Sequence, residues 1–315
     1  MDKEKLIDIL QKSRPNAKES TLKAYASNLV KLMKLFETED LKFLNNPNKV
    51  EEKLENLHYT TRRNYLNAIV VYLMGDKEDE KDLIAEYVEM RDKLNKQYEE
   101  EQATGVISDK QKDNFVPIEE VQKMINQMGE EIKDKKLKKK EDLTKKDKEL
   151  IMVYTLYNIY TRLPLRNDLA GMEVINKRAY NKLSQEDKEN TNYLVINKNS
   201  MFMVLNEFKT KSKYKQINIP IPKDLEKLLR QYIRINGMGV LFKSSTGKPL
   251  SRNALTQLLL KTSKKYMNKN ISTTMLRKIY LSSKYGDMVE ELKKDNAVMG
   301  HSKEVAMDTY IKKTE

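Results

Sequence analysis

Residues 296–310 have the sequence NAVMGHSKEVAMDTY, which indicates that one helix ends and a second begins within a few residues. Gly300 is expected to end the first helix, because glycine adopts the left-handed conformation without a Cβ penalty. Ser302 is expected to begin the second, because its hydroxyl can accept hydrogen bonds from free backbone N–H groups. The spacing therefore predicts His301 at a tight corner, with Tyr310 about two turns further on.

The second helix would present a broad, mostly apolar face. Helical spacing puts Tyr310 on that face together with Val305, Ala306 and Thr309. Tyr310 and His301 could then meet at one point. A tyrosine on an apolar face is more often a packing residue, however, and a corner histidine is more often structural. Only the upstream residues can distinguish these alternatives.

The chain is strongly basic and contains no cysteine. Its 315 residues suffice for two domains of ordinary size, and they carry a formal net charge of +13 with a pI near 9.3. This excess charge favours a polyanionic partner, because neutralising phosphates releases condensed counterions, although an AT-rich genome can also produce a lysine-rich composition. Without cysteine there can be no disulfide, thiolate chemistry or cysteine-ligated zinc. With no signal-peptide pattern or membrane-spanning apolar run, we expect a reducing, intracellular compartment.

Residues 1–98 are predicted to form a helical domain. Apolar residues recur at helical spacing over 20–36 and again over 60–74, each time after serine or threonine. Both helices begin with basic and hydroxyl side chains, which suit contacts with phosphate groups, and a capped, solvated helix end explains the same pattern. The candidates for DNA contact in this region are Lys23, Arg62 and Arg63.

A linker is predicted at 99–116, where charge, Gly105 and a loss of periodicity interrupt the helical pattern. The second folded region, 117–315, is helical around a segment in which the period changes. Three short strands are predicted there, at 193–196, 201–205 and 217–221. The predicted fold class is therefore α+β, mainly α with a small antiparallel β-sheet.

A run of lysines separates two predicted helices of the second region, with the sequence KDKKLKKKE at 133–141. Such a run is usually a solvated loop, and contact with a DNA backbone is the functional alternative. Both interpretations place the lysines at the surface, and the sequence alone does not choose between them.

Three further places combine positive charge with an unusual setting. Arg166 follows a strongly apolar helix and lies beside the apolar run 163–165, where a charge is costly unless an anion or Asp168 compensates it. The connection between the second and third strands carries four lysines between 209 and 215, which could serve solubility or deliver an ammonium group into a groove. Arg277 lies near the first turns of a capped helix.

The order of these features resembles the tyrosine recombinase (phage-integrase) family. The shared order is an arginine after a helix, lysines on a β-hairpin, an arginine in the motif TMLR, the pair Gly-His, and a tyrosine nine residues later. The motif PLRND, at 164–168, looks like integrase-like members carried by large DNA viruses, their satellite viruses and mobile elements. The resemblance covers about residues 115–315. It extends more loosely over 15–95, which is similar to the helical, SAM-like core-binding domain of that family.

The resemblance implies a role for each residue of the set. Arg166 and Arg277 would grip the scissile phosphate, Tyr310 would be the nucleophile, and His301 would donate a hydrogen bond to the same phosphate. DNA would be cleaved and rejoined through a 3′-phosphotyrosyl intermediate, without a metal ion, a cofactor or ATP. The compartment would then be the cytoplasm, the nucleus or a viral factory.

A lysine of the hairpin would be the general acid in such a site. Lys209 is the first candidate and Lys211 the alternative, while Lys213 is a candidate for DNA contact. The family's second motif usually has a histidine three residues before its arginine, and this sequence has Thr274 there. That departure leaves open whether His301, a water molecule or the phosphate accepts the tyrosine proton.

The implied partner is double-stranded DNA with inverted-repeat core sites, bound by four subunits on two sites. Two other functions fit the same residues. A type IB topoisomerase would relax supercoils with nearly the same side chains, and a decayed recombinase would only bind DNA, as Thr274 could indicate. The helical N-terminal region and the motif around Arg166 favour recombination.

Overall fold

The structure of the protein, a computed structural model, describes residues 2–300 and 306–310, apart from the side chains of Lys110, Asp308 and Tyr310. The chain divides into two compact units, Met1–Ile107 and Ser108–Glu315. Its described part is mainly helical with one small sheet, which confirms the predicted fold class.

The first unit is a bundle of helices around one central helix. Its helices are α1 (Lys3–Ser13), α2 (Glu19–Leu35), α3 (Pro47–Leu54), α4 (Tyr59–Asp76) and α5 (Lys81–Ala103). The predicted helices are thereby confirmed as α2 and α4. Helix α4 is buried at consecutive positions from Ala68 to Leu73, and α1, α2 and α5 pack against it. Gly75 permits a close approach, because a Cβ atom there would lie 2.3 Å from the carbonyl oxygen of Ile9.

The segment predicted as a linker, 99–116, is partly helical. Helix α5 continues to Ala103, and a short helix, α6 (Asp109–Lys112), follows. The last turn of α5 is rich in glutamate, which has a high helix propensity, so the charge that suggested a linker belongs to a solvated helix end. The Tyr59 hydroxyl also donates a hydrogen bond to the Glu101 carboxylate, which ties this end of α5 to the start of α4.

The second unit packs its helices around one largely buried helix. Its longer helices are α7 (Ile118–Asp134), α8 (Lys145–Tyr160), α12 (Lys223–Asn236), α13 (Arg252–Met267) and α14 (Thr273–Met299), and its short ones are α9 (Lys177–Lys182), α10 (Gln185–Asn190) and α11 (Lys211–Tyr214). Helix α8 begins with a capping box formed by Thr144 and Asp147 and is largely buried from Leu150 onward. Helices α7, α12 and α13 pack against it. Among the described residues, no helix is both long and apolar enough to cross a bilayer.

The sheet contains the three predicted strands and two more. The predicted ones are β2 (Tyr193–Ile196), β3 (Met201–Leu205) and β4 (Ile217–Pro220), and the others are β1 (Glu173–Asn176) and β5 (Gly239–Val240). The strand order is β4-β3-β2-β1-β5. Strand β3 is antiparallel to both of its neighbours, β2 and β4, but β1 is parallel to β2, so the sheet is mixed and the antiparallel expectation is corrected. Helices α9 and α10 form the crossover that a parallel connection requires.

Helix α14 is one continuous helix of 27 residues. It begins at Ser272, whose hydroxyl accepts a hydrogen bond from the Met275 amide at 3.3 Å. It ends at Gly300, which has a φ of 69° and so confirms the predicted helix stop. Beyond Ile279, several of its large apolar side chains are exposed, namely Leu281, Tyr285, Met288, Val298 and Met299.

Ala306–Tyr310 forms a single π-helical turn. Ala306 is buried, as the predicted apolar face requires, but Thr309 is exposed and does not share that face. Val305, Ser302 and the side chain of Tyr310 lie outside the described residues.

The hydroxyl of Tyr157 connects the central helix to α13. Tyr157 is fully buried, and its hydroxyl donates a hydrogen bond to the Leu259 carbonyl at 2.8 Å. Tyr157→Phe should lower the free energy of unfolding of the second unit by about 0.5–1.5 kcal/mol, because it removes a buried hydrogen bond between α8 and a carbonyl of α13. Urea-induced unfolding of the full chain measures this change. Tyr154→Phe, at a half-buried hydroxyl with no hydrogen bond among the described residues, is the matched control; equal unfolding midpoints for both variants would contradict the prediction.

Candidate active-site cleft

The turn that follows helix α8 positions Arg166. Pro164 fixes part of this turn, Leu165 is buried, and the Tyr160 hydroxyl at the end of α8 donates a hydrogen bond to the Arg166 carbonyl at 3.1 Å. Arg162 is held separately by an ion pair with Asp224, with 2.6 Å between Nε and Oδ2. The backbone of Arg166 is therefore held by a hydrogen bond from a buried helix, and its side chain is half-buried.

The second arginine approaches the same turn from a distant part of the sequence. Arg277 lies in the second turn of α14, and its Nε donates a hydrogen bond to the Pro164 carbonyl at 3.2 Å across a separation of 113 residues. The buried side chains of Leu276 and Ile279 on either side of Arg277 hold this part of α14 against the core. The contact brings the start of α14 to the end of α8.

Arg166 and Arg277 line one cleft of about 340 Å³. One wall consists of the turn 163–165 with Asp168. The opposite wall comes from the β3–β4 connection and the adjoining strands, with Phe208, Thr210, Tyr214, Leu205, Ile217 and Ile219. Two guanidinium groups thus share a recess that is otherwise largely apolar, a setting suited to an oxyanion.

A buried carboxylate compensates the charge of this arginine pair. Asp168 is 7% exposed, and burial raises the pKa of its carboxyl, while the positive charges of Arg252, Arg166 and Arg277 oppose that rise. Burial lowers the pKa of the Arg277 guanidinium, as does repulsion from Arg166, and Asp168 opposes the change. Burial and the charge of Asp168 likewise raise the pKa of the Tyr160 hydroxyl.

Arg166 and Asp168 do not form the surface ion pair that the sequence allowed. Their charged groups lie more than 4.0 Å apart and interact only through their electrostatic attraction. Among the described residues, the Arg166 guanidinium makes no hydrogen bond or ion pair, so its N–H donors remain available to a ligand. The described residues contain no group of three or more histidine, cysteine, aspartate or glutamate side chains arranged to hold a metal ion.

The lysine-rich connection between β3 and β4 lies at the edge of the cleft. Lys209 is exposed, and its ammonium group makes no hydrogen bond or ion pair with the described residues. Lys211 begins α11, and its Nζ donates a hydrogen bond to the Glu189 carbonyl at 2.8 Å, with Glu207 at 3.9 Å. The Nζ of Lys213 lies 5.4 Å from the ring centre of Tyr214. The cleft itself is lined by Thr210 and Tyr214 of this connection, not by its lysines.

The remaining predicted site residues are Thr274, His301 and Tyr310. Thr274 is exposed in the first turn of α14, one turn before Arg277, and does not line the cleft. His301 lies outside the described residues. For Tyr310 the backbone is described, in the turn Ala306–Tyr310, and the side chain is not. The structure therefore brings Arg166 and Arg277 together and places the lysine-bearing connection beside them.

The candidates for DNA contact in the first unit differ in their surroundings. Lys23 forms an ion pair with Glu19 at 2.5 Å on the same helix. Arg63 donates from Nε to the Asn95 side chain at 2.7 Å and stacks 4.1 Å from the ring centre of Tyr98. Arg62 is half-buried and, unlike Lys23 and Arg63, makes no hydrogen bond or ion pair with the described residues.

Sequence reasoning missed two features of the cleft. It treated Asp168 as a surface partner, although a carboxylate between Leu165 and Leu169 is in a buried setting. It also did not identify Asn167, whose side-chain amide donates hydrogen bonds to the Arg252 carbonyl at 3.2 Å and to Thr256 at 2.9 Å. These bonds attach the turn 167–169 to α13, and only the three-dimensional structure reveals them.

Comparison with known proteins supports the fold. The sequence matches no family model and no curated protein. A solved structure of the XerH site-specific recombinase bound to a palindromic difH substrate, a post-cleavage complex, aligns over 100% of this chain and 82% of that chain, with a TM-score of 0.50 and 14% identity. A pre-cleavage complex of XerH with a difH substrate aligns over 100% of this chain and 81% of that chain, with a TM-score of 0.40 and 15% identity. A XerA recombinase aligns over 100% of this chain and 95% of that chain, with a TM-score of 0.36 and 9% identity. The first similarity shows that this chain has the fold of the tyrosine recombinases.

The raised pKa of Asp168 predicts a pH dependence with a definite sign. Because its folded-state pKa lies above the unfolded value, the stability it contributes is complete at low pH and is lost as the pH rises through the folded value. The free energies of unfolding of the native protein and of Asp168→Asn can be compared at each pH. The difference, native minus variant, should therefore decrease as the pH rises from about 3 to about 7. Urea titrations across this range measure the difference.

Asp224→Asn is the control for that experiment. The hydrogen bond from Arg162 lowers the pKa of Asp224, so the stability it contributes is present at neutral pH and is lost as the pH falls. The two difference curves should slope in opposite directions. A rising curve for Asp168→Asn would mean that attraction to the arginines outweighs the cost of burial.

Proposed function

We propose that this protein is a site-specific DNA recombinase or integrase that cleaves and rejoins DNA through a 3′-phosphotyrosyl intermediate. The observation that carries the proposal is the shared cleft of Arg166 and Arg277, built from distant parts of a chain with a tyrosine recombinase fold. In this proposal residues 1–98 form the core-binding domain, residues 117–315 form the catalytic domain, and 99–116 connects them.

The arginine pair suits the charge that develops during attack on a phosphodiester. The transition state spreads negative charge over the non-bridging oxygens, and a guanidinium meets two such oxygens with a planar fork of donors. Arg166 and Arg277 approach from different elements, so they can contact the phosphate from two directions. Their positions are set before the ligand arrives, by Tyr160 and Pro164, which limits the reorganisation needed in the transition state.

Tyr310 is the proposed nucleophile. Its hydroxyl oxygen would bond to phosphorus while the bond from phosphorus to the 5′-oxygen breaks. Ionising a tyrosine with an ordinary pKa at neutral pH costs about 4 kcal/mol, which the field of the two arginines and His301 would reduce. Thr274 is exposed and outside the cleft, so we assign the acceptance of the phenol proton to His301, water or the phosphate.

Lys209 is the proposed acid that protonates the leaving 5′-oxygen. Its ammonium group has no partner among the described residues, whereas that of Lys211 is held by Glu189. Because the phosphotyrosyl ester retains the energy of the broken bond, a 5′-hydroxyl from a second duplex can reverse the step without ATP. We propose accordingly that four subunits act on two inverted-repeat sites, in an integrase of a virus or mobile element.

The covalent intermediate is tested with a library of duplexes that are randomised in the centre and nicked there once. Release of the short fragment beyond the nick prevents rejoining, so DNA should remain attached to the native protein after denaturation and can be sequenced. Tyr310→Phe should form no adduct, and Arg166→Ala or Arg277→Ala should form it roughly 10²–10³-fold more slowly. Arg162→Ala, outside the cleft, is the matched arginine control.

Other outcomes of that experiment identify other functions. DNA binding without any adduct would leave only a DNA-binding protein. An adduct without sequence preference, together with relaxation of supercoiled plasmid, would indicate a topoisomerase. An adduct that persists in Tyr310→Phe would assign the nucleophile to another residue.

The acid role of Lys209 is tested by changing the leaving atom. Lys209→Ala should slow cleavage by roughly 10²–10⁴-fold at a normal 5′-oxygen. The loss should be much smaller at a 5′-bridging phosphorothiolate, because sulfur leaves without protonation. Lys211→Ala is the control and should affect both substrates alike; the reverse pattern between the two variants would move the acid to Lys211.

A further inference from the structure

The lysine run between α7 and α8 forms an ordered concave surface. Four of its side chains, Lys133, Lys136, Lys138 and Lys139, line a hollow of about 820 Å³ together with Tyr154, Gly129 and neighbouring residues of α7. We call these four residues the lysine cradle. None of the residues that line the hollow also lines the cleft of Arg166 and Arg277.

The backbone of this loop is held in place by several contacts. Leu137 is buried at 1% exposure in the middle of the lysines, and its amide donates to the Ile132 carbonyl at 3.0 Å. Lys136 adopts a left-handed conformation with a φ of 52°, and the Lys139 amide donates back to its carbonyl at 3.0 Å. The lysines therefore project from a closed turn at the C-terminal end of α7 and do not belong to an extended, solvated tail.

Most of the charge in the cradle is uncompensated. Lys133 pairs with Glu130 at 3.3 Å, both at exposed positions. Lys136, Lys138 and Lys139 are exposed and form no ion pair within 4.0 Å with any described residue. Three like charges held in one short turn repel one another, and a polyanion relieves that repulsion.

The composition of the cradle favours a phosphodiester backbone over a protein surface. Protein interfaces are poor in lysine and rich in aromatic residues, methionine and arginine, whereas lysine ammonium groups act as point charges toward phosphates. The nearby aliphatic side chains, Leu137 and Ile132, are buried, and the exposed side chains of the cradle are all lysines. A duplex carries a charge for every 1.7 Å of its axis and can engage several lysines at once.

We propose that the lysine cradle is a second, sequence-independent contact with the backbone of double-stranded DNA, separate from the cleft. The inference rests on the proposed function. The cradle would add affinity for duplex next to the cleaved site and would take no part in the chemistry at phosphorus.

The test compares two triple variants of the full chain. Lys136→Gln, Lys138→Gln and Lys139→Gln together remove the unpaired charge of the cradle. Lys182→Gln, Lys198→Gln and Lys248→Gln remove the same charge from exposed lysines elsewhere in the second unit. The probe is a fluorescent 30-base-pair duplex of arbitrary sequence, titrated at salt concentrations from about 50 to about 200 mM.

The cradle variant should bind this duplex more weakly, and the slope of log K against log salt should become shallower by about 2 to 3, because up to three phosphate contacts are lost. The control variant should change the slope by less than about 1. Equal slopes for the two variants would overturn the inference, as would a loss confined to single-stranded DNA. A loss of binding to vesicles of anionic lipid with duplex binding unchanged would identify a membrane surface instead.

Adduct formation separates this inference from the proposed function. At saturating DNA, the cradle variant should form the Tyr310 adduct at the native rate. If the cradle variant forms the adduct at the native rate and also binds the duplex with unchanged affinity, the inference fails and the recombinase function stands. If the native protein forms no adduct but the slope difference appears, the cradle is a DNA contact of a protein without cleavage activity. Circular dichroism and thermal unfolding of both variants show whether each remains folded.

Discussion

The cost of placing two guanidinium groups in one recess is the constraint on which the second unit depends. Arg166 and Arg277 repel each other, and Arg277 is partly removed from water, as the lowered pKa of its guanidinium reflects. The carboxylate of Asp168 offsets this repulsion from inside the protein, where attraction is less screened than at the surface. That carboxylate is itself costly to bury, so neither the arginine pair nor Asp168 is favourable without the other.

This mutual dependence requires several elements to meet within a small volume. The end of α8 holds the Arg166 backbone through Tyr160, and α14 reaches the same turn through the bond from Arg277 to Pro164. Asn167 attaches the turn to α13. A largely buried central helix is well suited to this role, because its packing on several sides fixes its position and hence that of the turn at its end. The cleft is thus preorganised by contacts within the protein.

Local patterns in the sequence predicted the features that local chemistry determines. The three strands β2 to β4 were found because short apolar runs and a change of period are local, and Gly300 was found because a left-handed helix end favours glycine. Strands β1 and β5 were missed since EVIN and GV are too short to show a period, and they are strands only because β2 pairs with β1 and β1 pairs with β5. The length of α14 was also not predicted, although the helix continues through Gly286. A glycine lowers helix stability by about 1 kcal/mol, which does not by itself end a helix. The meeting of Arg166 with Arg277 was expected from a family resemblance, whereas the burial of Asp168 depends on long-range packing that no local pattern encodes.

The protein uses its two kinds of basic residue in different physical settings. In the cleft, arginines are held by backbone contacts, and a planar fork of donors gains most from such fixed geometry, because its hydrogen bonds are directional. In the lysine cradle the backbone is held but the long side chains are free, which suits a point charge that must follow a phosphate without a defined orientation. Under the proposed function, orientation is needed in the cleft, where a single phosphorus atom must be placed within reach of a nucleophile, and charge alone suffices at the cradle, where a duplex needs only to be retained. Replacing the cleft arginines by lysine would therefore keep the charge and lose the geometry, whereas arginine in place of the cradle lysines would keep the function of that surface.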